Sequence, residues 1–136
     1  MPLTSDADLK ALLTTAKRVA VVGFSADPEK PSYGVAMALK RYGYEVYPVN
    51  PTLASTPELT VYPTLSAIPD KIDIVDVFRR ADALPGVVEE AIRIGAGAVW
   101  MQQGIVNEEA AATAEAAGLK VVMDHCMRDE YGRLMR

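Results

Sequence analysis

The sequence predicts an α/β fold: a mainly parallel sheet of five to six strands held between two layers of helices. Three observations point there. Short β-branched runs such as Val19-Ala20-Val21-Val22 show no polar alternation, as expected of strands covered on both faces. Between them lie stretches with helical spacing, several bounded by a capping residue or a glycine. The links are short, so strand and helix alternate, and the connections become crossovers between parallel strands.

Taken in order, Ser5 and Asp6 offer caps for a first helix over roughly Asp6 to Thr15, with Leu9, Leu12 and Leu13 as its apolar stripe. Val19 to Val22 is a strand, followed by a loop from Gly23 to Pro31. Ser32 fits an N-cap for a second helix, whose apolar positions are Val35, Ala36, Ala38, Leu39 and Tyr42, with Gly43 as its stop. Glu45 to Val49 is a strand closed by Asn50-Pro51. Prolines at 51, 57, 63 and 69 then punctuate a long connection with a short edge strand at Leu59–Tyr62. Ile72 to Phe78 is a strand, and Asp82 a cap for a helix over Leu84 to Ile94. Gly97 to Met101 is a strand. Asn107 caps a helix to about Ala117 that Gly118 ends, and Leu119 to Met123 is the last strand. The tail from Asp124 to Arg136 is mixed and polar.

The 136 residues suit one domain spanning 1–136, and half of them are hydrophobic, enough for one core. A net charge of -4 argues against broad nucleic-acid binding, which needs a basic surface. One cysteine, Cys126, excludes an internal disulfide and suggests a reducing compartment. The start, MPLTSDADLKALL, has acids where a signal peptide is basic, and no apolar run approaches a membrane span. The expectation is a cytoplasmic protein without a membrane partner.

Ligands of such sheets sit beyond the carboxyl ends of the strands. The residues that follow the strands are Gly23 to Ser32, Asn50-Pro51, Arg79-Arg80, Gln102 to Gly104 and Asp124 to Cys126. The first turn departs from the dinucleotide fingerprint: after Gly23, the second and third glycine positions hold Ser25 and Pro28. The acid expected after the second strand is replaced by Asn50-Pro51, and no G-K-[ST] occurs in the chain. An anion site remains open to it through Ser25, Lys30, Ser32, helix N–H groups and the two arginines.

Five segments, VAVVGFSADPEKPSYGV, YEVYPVNP, DIVDVFRR, AVWMQQGIVNEEAA and GLKVVMDHC, follow one family in order over nearly the whole chain. The chain resembles the small stand-alone CoA-binding proteins (the YccU-like group) and the N-terminal CoA-binding domain of the succinyl-CoA ligase α subunit. The resemblance implies a Rossmann-like fold binding coenzyme A, or a short acyl-CoA, across the strand ends. Transferred to this chain, it sets Gly23, Phe24, Ser25 and Ala26 under the pyrophosphate, with Lys30, Ser32 and Tyr33 in the same loop and helix start. Val49, Asn50 and Pro51 would border the adenosine, and Val77, Phe78 and Arg79 the opposite wall. Met101, Gln102, Gln103 and Gly104 would flank the pantetheine arm. The ligase domain has a lysine shortly after the second strand; here Pro51 to Thr56 holds no cation, leaving Arg79 or Lys30 to substitute.

The ligase also uses a phosphorylated histidine in a second, glycine-rich domain. The one histidine here, His125, lies between Asp124 and Cys126, so ligase activity is not expected. A direct Cys126–His125 dyad is awkward, because neighbours on an extended chain point to opposite sides. The reading is a non-catalytic CoA-binding carrier, sensor or regulator, with a homodimer as the assembly considered. Its rivals are a CoA-dependent transferase or nucleotide-dependent enzyme, and an interaction subunit with a vestigial pocket.

Overall fold

The computed structural model describes residues 1–57 and 59–135. Five strands, β1 (Arg18–Val22), β2 (Glu45–Val49), β3 (Ile74–Val77), β4 (Ala98–Met101) and β5 (Lys120–Val122), form one sheet in the order β2-β1-β3-β4-β5. Every neighbouring pair is parallel. The helices α1 (Asp6–Thr15), α2 (Pro31–Arg41), α3 (Leu84–Arg93), α4 (Glu108–Ala116) and α5 (Met127–Leu134) cover both faces. This is the Rossmann-like three-layer arrangement expected from the alternation of short apolar runs and helical stretches.

Strand side chains alternate between two cores. Ala20, Val22, Val75, Val77, Val99, Met101 and Val121 pack with α3 and α4, while Val19, Val21, Ile74, Ala98, Trp100 and Val122 pack with α1, α2 and α5. All four residues of β3 and of β4 are buried, which explains why these runs carry no polar alternation. The helix caps follow the sequence in two cases. Ser5 Oγ accepts the Asp8 N–H at 3.1 Å, and Asn107 Oδ1 accepts the Ala110 N–H at 2.9 Å.

Four expectations are corrected. Leu59–Tyr62 forms no strand: Tyr62 makes an isolated parallel bridge to Val49, and Leu59 an antiparallel one to Thr56. Pro57 and Pro63 flank this segment, and neither can donate to a ladder. Ser32 is not the N-cap of α2; that position is Lys30, with Pro31 opening the helix, because proline is pre-set for the first helical turn. Asp82 does not cap α3, since it lies inside a single 3₁₀ turn, Ala81–Ala83, and α3 starts with Pro85 in its first turn. Finally, the polar tail contains α5, which packs on α1 and α2. Its apolar face is only Met127, Tyr131 and Leu134, too narrow a stripe to stand out among charged residues. Tyr131 stacks on Tyr42 with ring centres 4.0 Å apart. Among the described residues no helix is long and apolar enough to cross a membrane.

Two positions carry unusual constraint. A Cβ on Gly97, just before β4, would stand 2.9 Å from the Asp73 carbonyl oxygen, so only glycine lets the two chains approach there. Asp76 sits in β3 between Val21 of β1 and Trp100 of β4, with no exposed surface and no hydrogen-bond partner for either carboxylate oxygen among the described residues. Burial raises its pKa well above the ordinary carboxylate range, because the charged form cannot be solvated.

Both features yield stability tests. Gly97→Ala should lose about 1–3 kcal/mol in denaturant unfolding, the cost of forcing a backbone shift in a packed region. For Asp76, the folded protein binds the proton more tightly than the unfolded chain does. Its contribution is therefore complete below the unfolded pKa of about 3.9 and is lost as pH rises toward the folded value. Asp76→Asn removes this slope, at most about 1.4 kcal/mol per pH unit. The variant should gain on the wild type as pH rises above about 4, and parallel stability–pH curves for the two proteins would contradict the assignment.

Candidate functional site

The site is built by extending the sheet one hydrogen bond past its strands. The Gly23 and Phe24 N–H groups donate to Val49 O at 3.1 and 3.2 Å, and Phe78 N–H to Val22 O at 2.8 Å. Gln102 N–H donates to Val77 O and His125 N–H to Met101 O, at 3.4 and 3.3 Å. Each post-strand segment after β1, β3, β4 and β5 is thus fixed against the neighbouring strand end. Four of the five segments singled out from the sequence meet along one edge in this way, and Asn50 joins them by donating its Nδ2–H to Phe24 O at 2.8 Å.

The strand order reverses between β1 and β3, the switch point at which open parallel sheets leave a crevice. A groove of about 430 Å³ opens there. Gly23, Val49, Pro51 and Arg79 line it from the sheet side, and Gly86 and Val87 from α3. A second hollow of about 460 Å³ adjoins it along Gly23, Phe78, Arg79 and Arg80. Together they have the size of a site for a cofactor-sized molecule, about 300–1,000 Å³.

Gly23 is the hinge of this groove. Its φ of +83° is in the left-handed region, and a Cβ there would lie 3.1 Å from the Phe78 carbonyl carbon and oxygen. A side chain would fill the place where the two loops touch. Beyond Gly23 the loop is shaped by its own polar side chains. Ser25 N–H donates to Ser32 Oγ at 2.9 Å, Asp27 N–H to Ser25 Oγ at 3.1 Å, and Glu29 N–H to Asp27 Oδ1 at 3.0 Å. At the start of α2, Pro31 has no N–H and the Tyr33 and Gly34 N–H groups donate to Lys30 O, so the Ser32 N–H alone lacks a backbone acceptor among the described residues; Lys30 stands exposed at that end. Arg79 is also exposed, and among the described residues neither cation is in an ion pair, whereas Arg80 lies 3.5 Å from Asp82.

Asn50 replaces the ribose-binding acid of a dinucleotide site with a structural clamp. Its Nδ2 donates to Phe24 O at 2.8 Å, and its Oδ1 accepts from Thr52 N–H and Oγ1–H at 2.8 and 3.0 Å. The amide ties the β1 loop to the β2 loop and offers no carboxylate.

The seventeen residues nominated from the sequence separate by what they can present. Gly23, Val49, Pro51 and Arg79 line the main groove and Phe78 the adjoining one. Ala26, Lys30, Gln103 and Gly104 are exposed on the rim, and Ser25 and Tyr33 are half-buried. Phe24, Val77 and Met101 have no exposed surface, so their side chains belong to the core and only their backbone lies near the edge. Ser32 and Gln102 are buried and engaged: Ser32 holds Ser25, and Gln102 Oε1 accepts the Met127 N–H at 3.2 Å at the start of α5. Sequence reasoning missed the wall made by Pro63, Thr64, Ala83, Gly86, Val87 and Glu90. The signal available for it was topological: a helix following β3 must flank the switch point. Among the described residues no group of three His, Cys, Asp or Glu side chains could hold a metal ion.

Comparison with known proteins identifies the family of the chain. The chain is 44% identical over 124 residues to the uncharacterized protein YneT of Bacillus subtilis, covering 91% of this chain and 92% of that one. Its fold matches a hypothetical protein from Pyrococcus horikoshii with a TM-score of 0.94 and 39% identity, over 100% of this chain and 97% of the other. It is 34% identical over 116 residues to an ADP-forming acetate–CoA ligase of Archaeoglobus fulgidus, but that match spans 82% of this chain and only 17% of the ligase. Residues 17–131 match the CoA binding domain family, and the chain belongs to that family.

Proposed function

We propose that this chain binds coenzyme A, or a short acyl-CoA, along the carboxyl edge of its sheet and acts as a non-catalytic carrier, sensor or regulator. The observation that carries this reading is the switch-point groove, in which Gly23, where a Cβ would crowd the Phe78 carbonyl at 3.1 Å, adjoins the exposed Arg79, which is in no ion pair among the described residues. CoA bears a pyrophosphate and a 3′-phosphate, so it rewards several separate anion contacts. Arg79 beside the groove, Lys30 at the α2 end and the Ser32 N–H of that helix would be such contacts. The absence of an acid after β2 removes the usual clamp on a nicotinamide ribose, which favours CoA over NAD. Val49 and Pro51 supply an apolar wall at the β2 side, where the adenosine end would rest.

The ligases that match this chain are much longer than the part it covers, and their reaction is not assigned to it. The single domain on residues 1–136 is part of the same proposal.

Calorimetric titration with CoA, ADP and NAD tests the reading. CoA should bind most tightly. Equal or tighter binding of NAD would favour the nucleotide-dependent rival, and no binding of any of the three the vestigial pocket. Arg79→Ala should weaken CoA binding about tenfold, as expected for one charged hydrogen bond, with unchanged unfolding behaviour. Gly23→Ala should weaken CoA binding and also lower stability by about 1–2 kcal/mol, the cost of the left-handed backbone for a residue with a Cβ.

A further inference from the structure

The loop after β5 holds an assembly that the groove does not use. Asp124 has a φ of +65°, rare for a residue with a side chain, and its Oδ1 accepts the Gly104 N–H at 2.7 Å. His125 is fixed through its backbone on both sides: its N–H donates to Met101 O, and its carbonyl accepts the Trp100 indole N–H at 2.9 Å. Its ring Nδ1 lies 3.4 Å from Glu130 Oε1. Glu130 is largely buried, and its other oxygen accepts from Arg133, whose guanidinium also lies 2.9 Å from Asp6 Oδ1 on α1. The chain Asp6–Arg133–Glu130–His125 thus runs across two helices and ends on a half-exposed imidazole at the rim. The Glu130 carboxylate stands on the Nδ1 side of the ring, so Nε2 is the nitrogen left for another partner.

The strand order gives this imidazole a place along the ligand. The edge reads β2, β1, β3, β4, β5, and the groove lies at the first three. A CoA whose adenosine rests at β2 and whose phosphates lie at β1 and β3 sends its pantetheine arm over the Gln102–Gly104 turn toward β5. Two strand spacings, about 10 Å, separate β3 from β5, a distance the arm covers. In that placement the thiol would come to the loop that holds His125.

We infer that His125 is the acceptor for the thiol proton of bound CoA, with Glu130 as its positioning residue. The proton passes from the CoA sulfur to His125 Nε2, leaving a thiolate beside an imidazolium whose Nδ1–H faces Glu130. No other bond is made or broken and no oxidant is involved. Among the described residues the charged group beside the imidazole is Glu130 from α5, with Arg133 behind it; Asp124 and Cys126 adjoin along the chain, and β4 holds the His125 backbone through the Met101 carbonyl and the Trp100 indole. This inference rests on the CoA-binding part of the proposed function and goes beyond its non-catalytic role: the protein would present its cofactor in nucleophilic form, as a reaction with an acyl electrophile requires.

The chain has one cysteine, so in a Cys126→Ser protein the CoA thiol is the only thiol present. Its ionisation is followed by ultraviolet thiolate absorbance at saturating CoA, with binding measured separately by calorimetry. In the Cys126→Ser protein the bound thiol should titrate about one pH unit below free CoA, whose thiol is ordinary, near pKa 8.5. Adding His125→Ala or His125→Gln should return the midpoint to that of free CoA while CoA still binds. Adding Glu130→Gln should place it between the two, a graded shift that loss of a merely structural contact would not produce. A bound thiol that titrates like free CoA, or a shift that survives both His125 substitutions, overturns the inference and leaves the CoA reading standing. A protein that fails to bind CoA in calorimetry overturns both.

Discussion

Backbone hydrogen bonds that continue beyond the strands are the constraint on which this structure depends. A parallel sheet fixes its strands, but the loops at its edge are ordinarily free to wander. Here Val49, Val22, Val77 and Met101, each the last residue of its strand, all use their carbonyls to hold the first residues of a neighbouring loop. The edge is therefore a row of five chain segments in fixed register. A ligand meeting it meets a pre-formed surface, and less of its binding free energy is lost to ordering loops.

Gly23 shows how this constraint selects residues. The chain leaving β1 must turn immediately against the chain leaving β3, and even a Cβ added at Gly23 would stand 3.1 Å from the Phe78 carbonyl carbon and oxygen. Asn50 secures the same turn from the β2 side through the Phe24 carbonyl. Both positions are occupied for backbone reasons, and of the two only Gly23 lines the groove, whose wall also carries Asp82 and Glu90. The glycine opens it, and the asparagine stands where a carboxylate would repel phosphate and attract ribose hydroxyls. The cations that remain, Arg79 and Lys30, come from different loops, which suits a ligand with separated phosphates better than one with a single compact anion.

Much of the fold was legible in the sequence because its signals are local. Uninterrupted β-branched runs, the Ser5 and Asn107 caps, and the glycines at 43 and 118 mark element boundaries without reference to distant residues. What escaped was non-local. The short helix α5 has its apolar face distributed over Met127, Tyr131 and Leu134, and it becomes a helix worth burying only because Tyr42 and Tyr44 wait on the opposite side. Ser32 looked like a cap by composition, but the Ser25 N–H it accepts lies seven residues away. The candidate site shows the same division. Gly23, Pro51 and Arg79 could be named from their places after strands, whereas Phe24, Val77 and Met101 share those places yet turn their side chains inward. Period-two alternation separates the two groups only once the register is known. The α3 wall of the groove was invisible to motif reasoning, since Gly86, Val87 and Glu90 form no motif of their own.

The most direct measurement is a crystal structure of the protein with CoA. The account predicts a ligand laid along the strand ends, with its pyrophosphate at the meeting point of Gly23 and Arg79 and its adenosine against Val49 and Pro51. CoA seated instead at the opposite end of the sheet, for example in the hollow beside Tyr42, Tyr44 and Tyr131, or bound with the Gly23 groove empty, would contradict it.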